Sequence, residues 1–201
     1  MSKVALTGNA SGTGTLTVAA PNTNSDYTLT LPTSAGTVAT QAYANASSQT
    51  VQMGYAVKTD TFTLSTATWT DVTGMSVTLS ALSNSANKVV VTISLGMCTP
   101  VTGTCILRVL RDSTPINIGD AAGSRNRATA QVTPPTSADA SRAISFTAVD
   151  APGDTSVHTY KLQMAMQSGY TGYINRSGND TDGTGIYQAR AASSITVTEI
   201  Q

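Results

Sequence analysis

Residues 11–40, SGTGTLTVAAPNTNSDYTLTLPTSAGTVAT, alternate apolar and threonine side chains on both sides of a Pro/Asn loop and carry almost no charge. Leu16 and Val18 point opposite to Thr15 and Thr17, and Tyr27, Leu29 and Leu31 opposite to Thr28 and Thr30. A period of two is the pattern of a half-buried strand. Pro21 to Ser25 lies between the runs and supplies turn chemistry, so the segment predicts an antiparallel hairpin. A lone hairpin is marginal in water, and Lys3 and Asp26 are the only charges before Lys58. The apolar face needs cover, from a larger domain or from the same hairpin in neighbouring copies. The second arrangement makes a stalk.

The rest of the composition points the same way. Charged residues make up 11% of 201, and Glu199 is the single glutamate, so the usual helix-surface residues are scarce while threonine, which suits a pleated surface, is abundant. An all-β chain is expected. Net charge is zero with no block of Lys or Arg, which leaves no electrostatic footprint for nucleic acid. No apolar run approaches the roughly 18 residues of a membrane span, and Met1-Ser2-Lys3 leads into threonine, glycine and serine rather than a signal-peptide core. The expectation is a soluble product of the cytosol, with no membrane insertion.

Two regions follow: residues 1–50, a hairpin segment with a small-residue stretch at 37–49 that reads as a short neck or an extended linker, and residues 51–201, a β-sandwich. The second region shows short alternating runs separated by Gly, Pro, Asn and Asp turns. Strands are expected at Val51–Lys58, Phe62–Leu64, Ser76–Leu79, Val89–Met97, Cys105–Arg111, Ala128–Val132, Ile144–Val149, Val157–Met166, Ile186–Ala191 and Ser194–Ile200, a number that suits a jelly roll. Val89, Val91, Ile93 and Leu95 form one core stripe; Tyr160, Leu162, Met164 and Met166 form another. Cys98 and Cys105 bracket a TPVTGT turn that reads as a hairpin, where they are either bonded across it or two reduced, partly buried thiols. Three loops are long for a compact domain: Gly119 to Arg127, Thr133 to Arg142 and Ser168 to Gly185. Recognition usually sits in such loops.

The chain offers little chemistry for catalysis. It has no G-x-S-x-G, no phosphate-binding or dinucleotide glycine pattern and no H-E-x-x-H, and its one histidine, His158, reads as part of a strand stripe without a nearby acid motif. Two cysteines and one histidine are too few for structural zinc. Asp180 and Asp182 are the one close carboxylate pair in a loop; with Asn179 they partly resemble a calcium loop, but glycine stands at 178 and no bidentate glutamate follows, so a solvated turn is the alternative. Tyr170, Tyr173 and Arg176 can stack on a sugar ring or a peptide, or cover the end of the sandwich. No enzyme activity, metal or cofactor is expected.

The N-terminal GTGTLTVAAPNTNSDYTLTLPTSAGTVATQAY resembles the segment that opens fibre and structural proteins of tailed bacteriophages, especially marine and cyanobacterial phages. TWTDVTGMSVTLS, SNSANKVVVTISLGM, LRVLRDSTPINIGDAAGSR, DAPGDTSVHTYKLQM, INRSGNDTD and SSITVTEIQ resemble the C-terminal head of such fibres. The resemblance implies a homotrimer with jelly-roll heads, similar in outline to C1q and tumour-necrosis-factor heads, on a short stalk attached to a virion. Leu6, Leu16, Val18, Tyr27, Leu29 and Leu31 are then the expected virion-docking and trimerisation residues, with capsid or tail proteins as partners. Arg125, Arg127, Tyr170, Tyr173, Arg176, Asn179, Asp180 and Asp182 are the expected contacts to a host-surface glycan or outer-membrane component. Two other functions compete: a capsid decoration or cement protein, and a polysaccharide depolymerase using Asp180 and Asp182.

Overall fold

The computed structural model describes residues 11–13, 50–135 and 137–201. The hairpin strands, the 37–49 neck and the docking residues Leu6, Leu16, Val18, Tyr27, Leu29 and Leu31 lie outside the described residues.

The described residues are all-β. The strands are β1 (Thr50–Lys58), β2 (Phe62–Leu64), β3 (Thr70–Thr78), β4 (Lys88–Val101), β5 (Cys105–Arg111), β6 (Thr114–Ile116), β7 (Ala130–Val132), β8 (Arg142–Asp150), β9 (Thr159–Met166), β10 (Thr171–Ile174) and β11 (Ser193–Ile200). They form two sheets, and the pairings described within each are antiparallel. In the first, the order is β1-β11-β4-β10-β2, and β8 also pairs with β4. In the second, the order is β3-β9-β5-β6, and β7 pairs with β5 beside β6.

One core lies between the sheets. Val89, Val91, Ile93 and Leu95 of β4 join Ile195 and Val197 of β11 from one side, and Leu107, Val109, Tyr160, Leu162, Met164 and Met166 of β5 and β9 from the other. Both predicted stripes are thus buried. Each such aliphatic side chain contributes roughly 1.5–3 kcal/mol relative to exposure.

Besides β6, which is not among the expected strands, four local readings change. The β3 strand begins at Thr70 rather than Ser76, because its alternation breaks at an irregularity between Asp71 and Ser76. Gly74 there has φ +80°, a conformation that glycine adopts without Cβ strain. Second, the strand expected at Ile186–Ala191 is absent: Ile186–Gln188 is a single 3-10 turn closed by Gln188 N donating to Gly185 O at 2.9 Å, and Ile186 is 95% exposed. Third, the 168–185 loop contains β10. Its glycine disguised it, and a Cβ on Gly172 would come within 2.6 Å of Met164 Cε, so glycine is what lets the two core methionines fill that space. Fourth, β4 and β5 belong to different sheets, so the Thr102–Thr104 turn arches between layers and is no hairpin. Cys98 and Cys105 therefore face each other across the core as free, buried thiols with Sγ atoms 3.7 Å apart. The neighbouring thiol and burial push the Cys98 pKa well up.

Glu199 is wholly buried on the inward side of β11. Its carboxylate accepts from Gln52 Nε2 (2.6 Å), Asn87 Nδ2 (2.7 Å), Ser83 N (2.8 Å) and Ser83 Oγ (2.9 Å). This ties the 79–87 connection to the β1–β11 edge. Burial alone would raise its pKa, but these donors outweigh burial and hold the carboxyl below the ordinary 4.5. A depressed carboxyl pKa stabilises the fold above the unfolded value, and that contribution fades as pH falls through the folded value. Glu199→Gln is expected to cost about 1–3 kcal/mol at neutral pH, because an amide presents its own donors to groups that are already donors. The difference in melting temperature from the parent should be large at pH 7 and close on acidification below about pH 4; a gap independent of pH overturns this assignment.

Candidate functional site

Strand β1 has its amphipathicity reversed. Its inward positions are Gln52, Gly54, Ala56 and Lys58, whereas Val51, Met53, Tyr55 and Val57 point outward, with Met53, Tyr55 and Val57 exposed by 61, 70 and 56%. The inward side is thin because β3 lies close behind it: a Cβ on Gly54 would come within 2.6 Å of Val77 Cγ1. Lys58 is the exception, wholly buried, with its stem along Gly74 and its ammonium 2.9 Å from Asp60.

The outward row on β1 continues across the sheet. Met53 pairs with Thr198, Thr198 with Val90 and Val90 with Val149; Tyr55 leads through Thr196 and Thr92 to Thr147; Val57 leads through Ser194 and Ser94 to Ser145. Lys88 is the one charge on these outward positions of β1, β11, β4 and β8. The outer face of the second sheet is the reverse. There Asp71 accepts from Lys161 Nζ and Gln163 Nε2, both at 2.6 Å, Gln163 Oε1 accepts from Arg108 Nε at 2.9 Å, and Arg108 covers the Trp69 ring at 4.2 Å. One face suits water and the other suits a protein surface. The sequence contained this signal, since alternation over residues 51–58 puts the larger apolar side chains on the side opposite Lys58.

The predicted recognition residues divide into groups. Tyr173 lies on β10 with Arg176 stacked over its ring at 3.9 Å. Arg176 donates to Asp180, which also receives Arg190 Nη2 at 2.6 Å. Arg190, absent from the sequence-based set, thus completes the group. Asn179 donates to Asp139 Oδ1 at 2.7 Å and links this loop to residues 133–142. These side chains hold one another, and the face of Tyr173 is covered by its own neighbour. Tyr170 packs on Gly103, where a Cβ would meet it at 2.6 Å. Arg125 and Arg127 belong to a separate loop, which Arg127 closes by donating to Gly119 O at 2.6 Å. Asp182 is exposed, while Asp180 has a guanidinium at each oxygen.

His158 precedes β9 and sits between two acids, contrary to the sequence reading. Its Nδ1 is 2.8 Å from Asp112 and its Nε2 is 3.0 Å from Asp154. Asp154 stands four residues before His158 in the same connection, whereas Asp112 comes from the distant β5–β6 turn. The Thr159 amide and then His158 lower the Asp112 pKa; Ser156 and then His158 lower that of Asp154. With both nitrogens engaged, the ring joins the β5–β6 turn to the 150–158 connection. Among the described residues no cluster of three or more metal-ligating side chains occurs, and no helix is long and apolar enough to cross a membrane. Protein-family models and curated proteins give no match to the chain.

Proposed function

We propose that this chain is a structural fibre or spike protein of a tailed-bacteriophage virion. It assembles as a homotrimer of jelly-roll heads and uses the charged and loop-bearing side of each head to bind a host surface. The observation that carries the reading is the reversed strand β1 and the neutral sheet face continuous with it. A second copy is the occupant such a face fits. In a three-fold ring each copy sets this face against a different patch of its neighbour, and a face with almost no charge carries no unpaired ion into that contact.

Its size supports the same occupant. Four strands about 4.8 Å apart and about seven residues long present roughly 450 Å² in projection. The accessible area of such a corrugated face is larger, near the ~800 Å² that each partner contributes to a standard interface. The virion comes from the sequence resemblance of both the N-terminal segment and the head. Trimers repeated on one particle convert weak single-head contacts into avidity.

Sedimentation at micromolar concentration tests the assembly, with a trimer expected and a monomer counting against it. Imaging particles with and without the chain tests the role. Loss of adsorption without the chain is expected; normal adsorption with reduced physical stability would make it a cement protein instead.

A further inference from the structure

An open cleft of about 340 Å³ lies at one end of the second sheet's outer face. Its floor is Ile106 of β5 beside Ala165 of β9, which pair directly across the two strands. Its rim is Thr104, Asn126, Gln167 and Ser168. The hollow exists because alanine occupies position 165 where a longer outward side chain would fill it. Asn126 comes from the 119–127 loop and Ser168 opens the 168–185 loop, so two separate loops meet here over a rigid sheet.

Hydrogen bonding separates this cleft from the loop networks described above. Gln167 Oε1 accepts from Thr104 N at 3.2 Å, which orients the amide; Nε2 has no partner among the described residues. The side chains of Asn126, Ser168 and Thr104 make no hydrogen bond among the described residues. The cleft is thus rimmed by uncommitted donors and acceptors over an aliphatic floor, and no charged side chain lines it. Its volume falls in the ~300–1,000 Å³ range of small-molecule sites.

We propose that this cleft binds a neutral saccharide. A sugar ring offers hydroxyls that both donate and accept, which suits amide and hydroxyl side chains, and an apolar face that suits Ile106 and Ala165. An anionic glycan is disfavoured, because no lining cation would replace the water it loses on entry. The proposal rests on the host-surface reading and assigns it a place and a ligand class, away from the Tyr173–Arg176–Asp180 group.

Saturation-transfer NMR on the full chain tests it, with gluco-, galacto-, manno- and N-acetylglucosamine oligosaccharides as probes and sialylated and sulfated oligosaccharides as charged comparisons. Saturation transfer to at least one neutral series is expected. Asn126→Ala, an exposed loop change that preserves the melting temperature, weakens binding about five- to tenfold; Ala165→Leu fills the cleft and abolishes it. Competition by host capsule or by lipopolysaccharide O-chains then identifies the cellular source. Binding confined to the charged probes, no binding, or binding indifferent to both substitutions overturns the proposal. Particle adsorption distinguishes the two claims: if adsorption needs the chain but no neutral saccharide binds, the cleft assignment falls and the fibre reading stands.

Discussion

A Tyr55→Asp chain is expected to sediment as a monomer at micromolar concentrations where the parent sediments as a trimer. Tyr55 lies mid-strand on β1, and 70% of it is exposed in the single chain, so within the head there is little for the substitution to disturb. In the proposed trimer the same position is covered. The change removes most of a tyrosine's apolar area from the contact and desolvates a carboxylate with no cation nearby, since Lys88 is the one charge on that face. Together these are worth roughly 3–5 kcal/mol per contact, about two to four orders of magnitude in dissociation constant. Ser76→Asp, on the outer face of the second sheet opposite Lys161, should leave the trimer intact. A Tyr55→Asp trimer would remove the sheet face from the interface, and a monomeric parent would remove the trimer itself.

The sandwich could be read from residue order because its central strands obey simple alternation. Val89 to Leu95 and Tyr160 to Met166 each place large apolar side chains on one side, and both sides are buried. What escaped were places where another constraint overrides alternation. Gly172 breaks the apolar pattern within β10 because the ends of Met164 and Met166 occupy its side-chain space. The β3 irregularity at Gly74 moves Val72 and Met75 out of step while burying both. Long-range polar contacts were hidden for a different reason: Asp112 reaches His158 from 46 residues away, and the donors to Glu199 come from β1 and the 79–87 connection. No local pattern encodes such pairs. The candidate recognition residues were found by type, but type alone did not reveal that Arg176 and Arg190 are spent on Asp180.

Asp150→Ala is expected to be strongly destabilising, on the scale of a large core truncation. Asp150 ends β8 in the first sheet and is 9% exposed. It accepts from Arg111 Nη1 at 2.8 and 3.0 Å and from the Tyr160 hydroxyl at 2.9 Å, both from the second sheet. One carboxylate thus fastens the two layers. Removing it leaves a guanidinium largely out of water and a buried hydroxyl without an acceptor. The cost is about 3 kcal/mol, the lower end for a broken buried pair because Arg111 retains some exposure, and it lowers the melting temperature by roughly 6–12 °C for a domain of this size. Tyr160→Phe keeps the ion pair and should cost only about 1 kcal/mol. Burial first, and then the bond to Asp150, push the Tyr160 pKa well above its ordinary 10. The folded chain therefore retains this proton where the unfolded chain releases it, so stability is fully present below about pH 10 and declines above it. Tyr160→Phe should flatten that alkaline decline while Asp150→Ala lowers stability at neutral pH. Replacing Arg111 and Asp150 together by Met and Leu should recover much of the loss, since apolar packing can substitute for a buried pair whereas a stranded charge cannot. If the double change is as damaging as Asp150→Ala alone, the cost arises from packing at the end of β8 rather than from the unpaired charge.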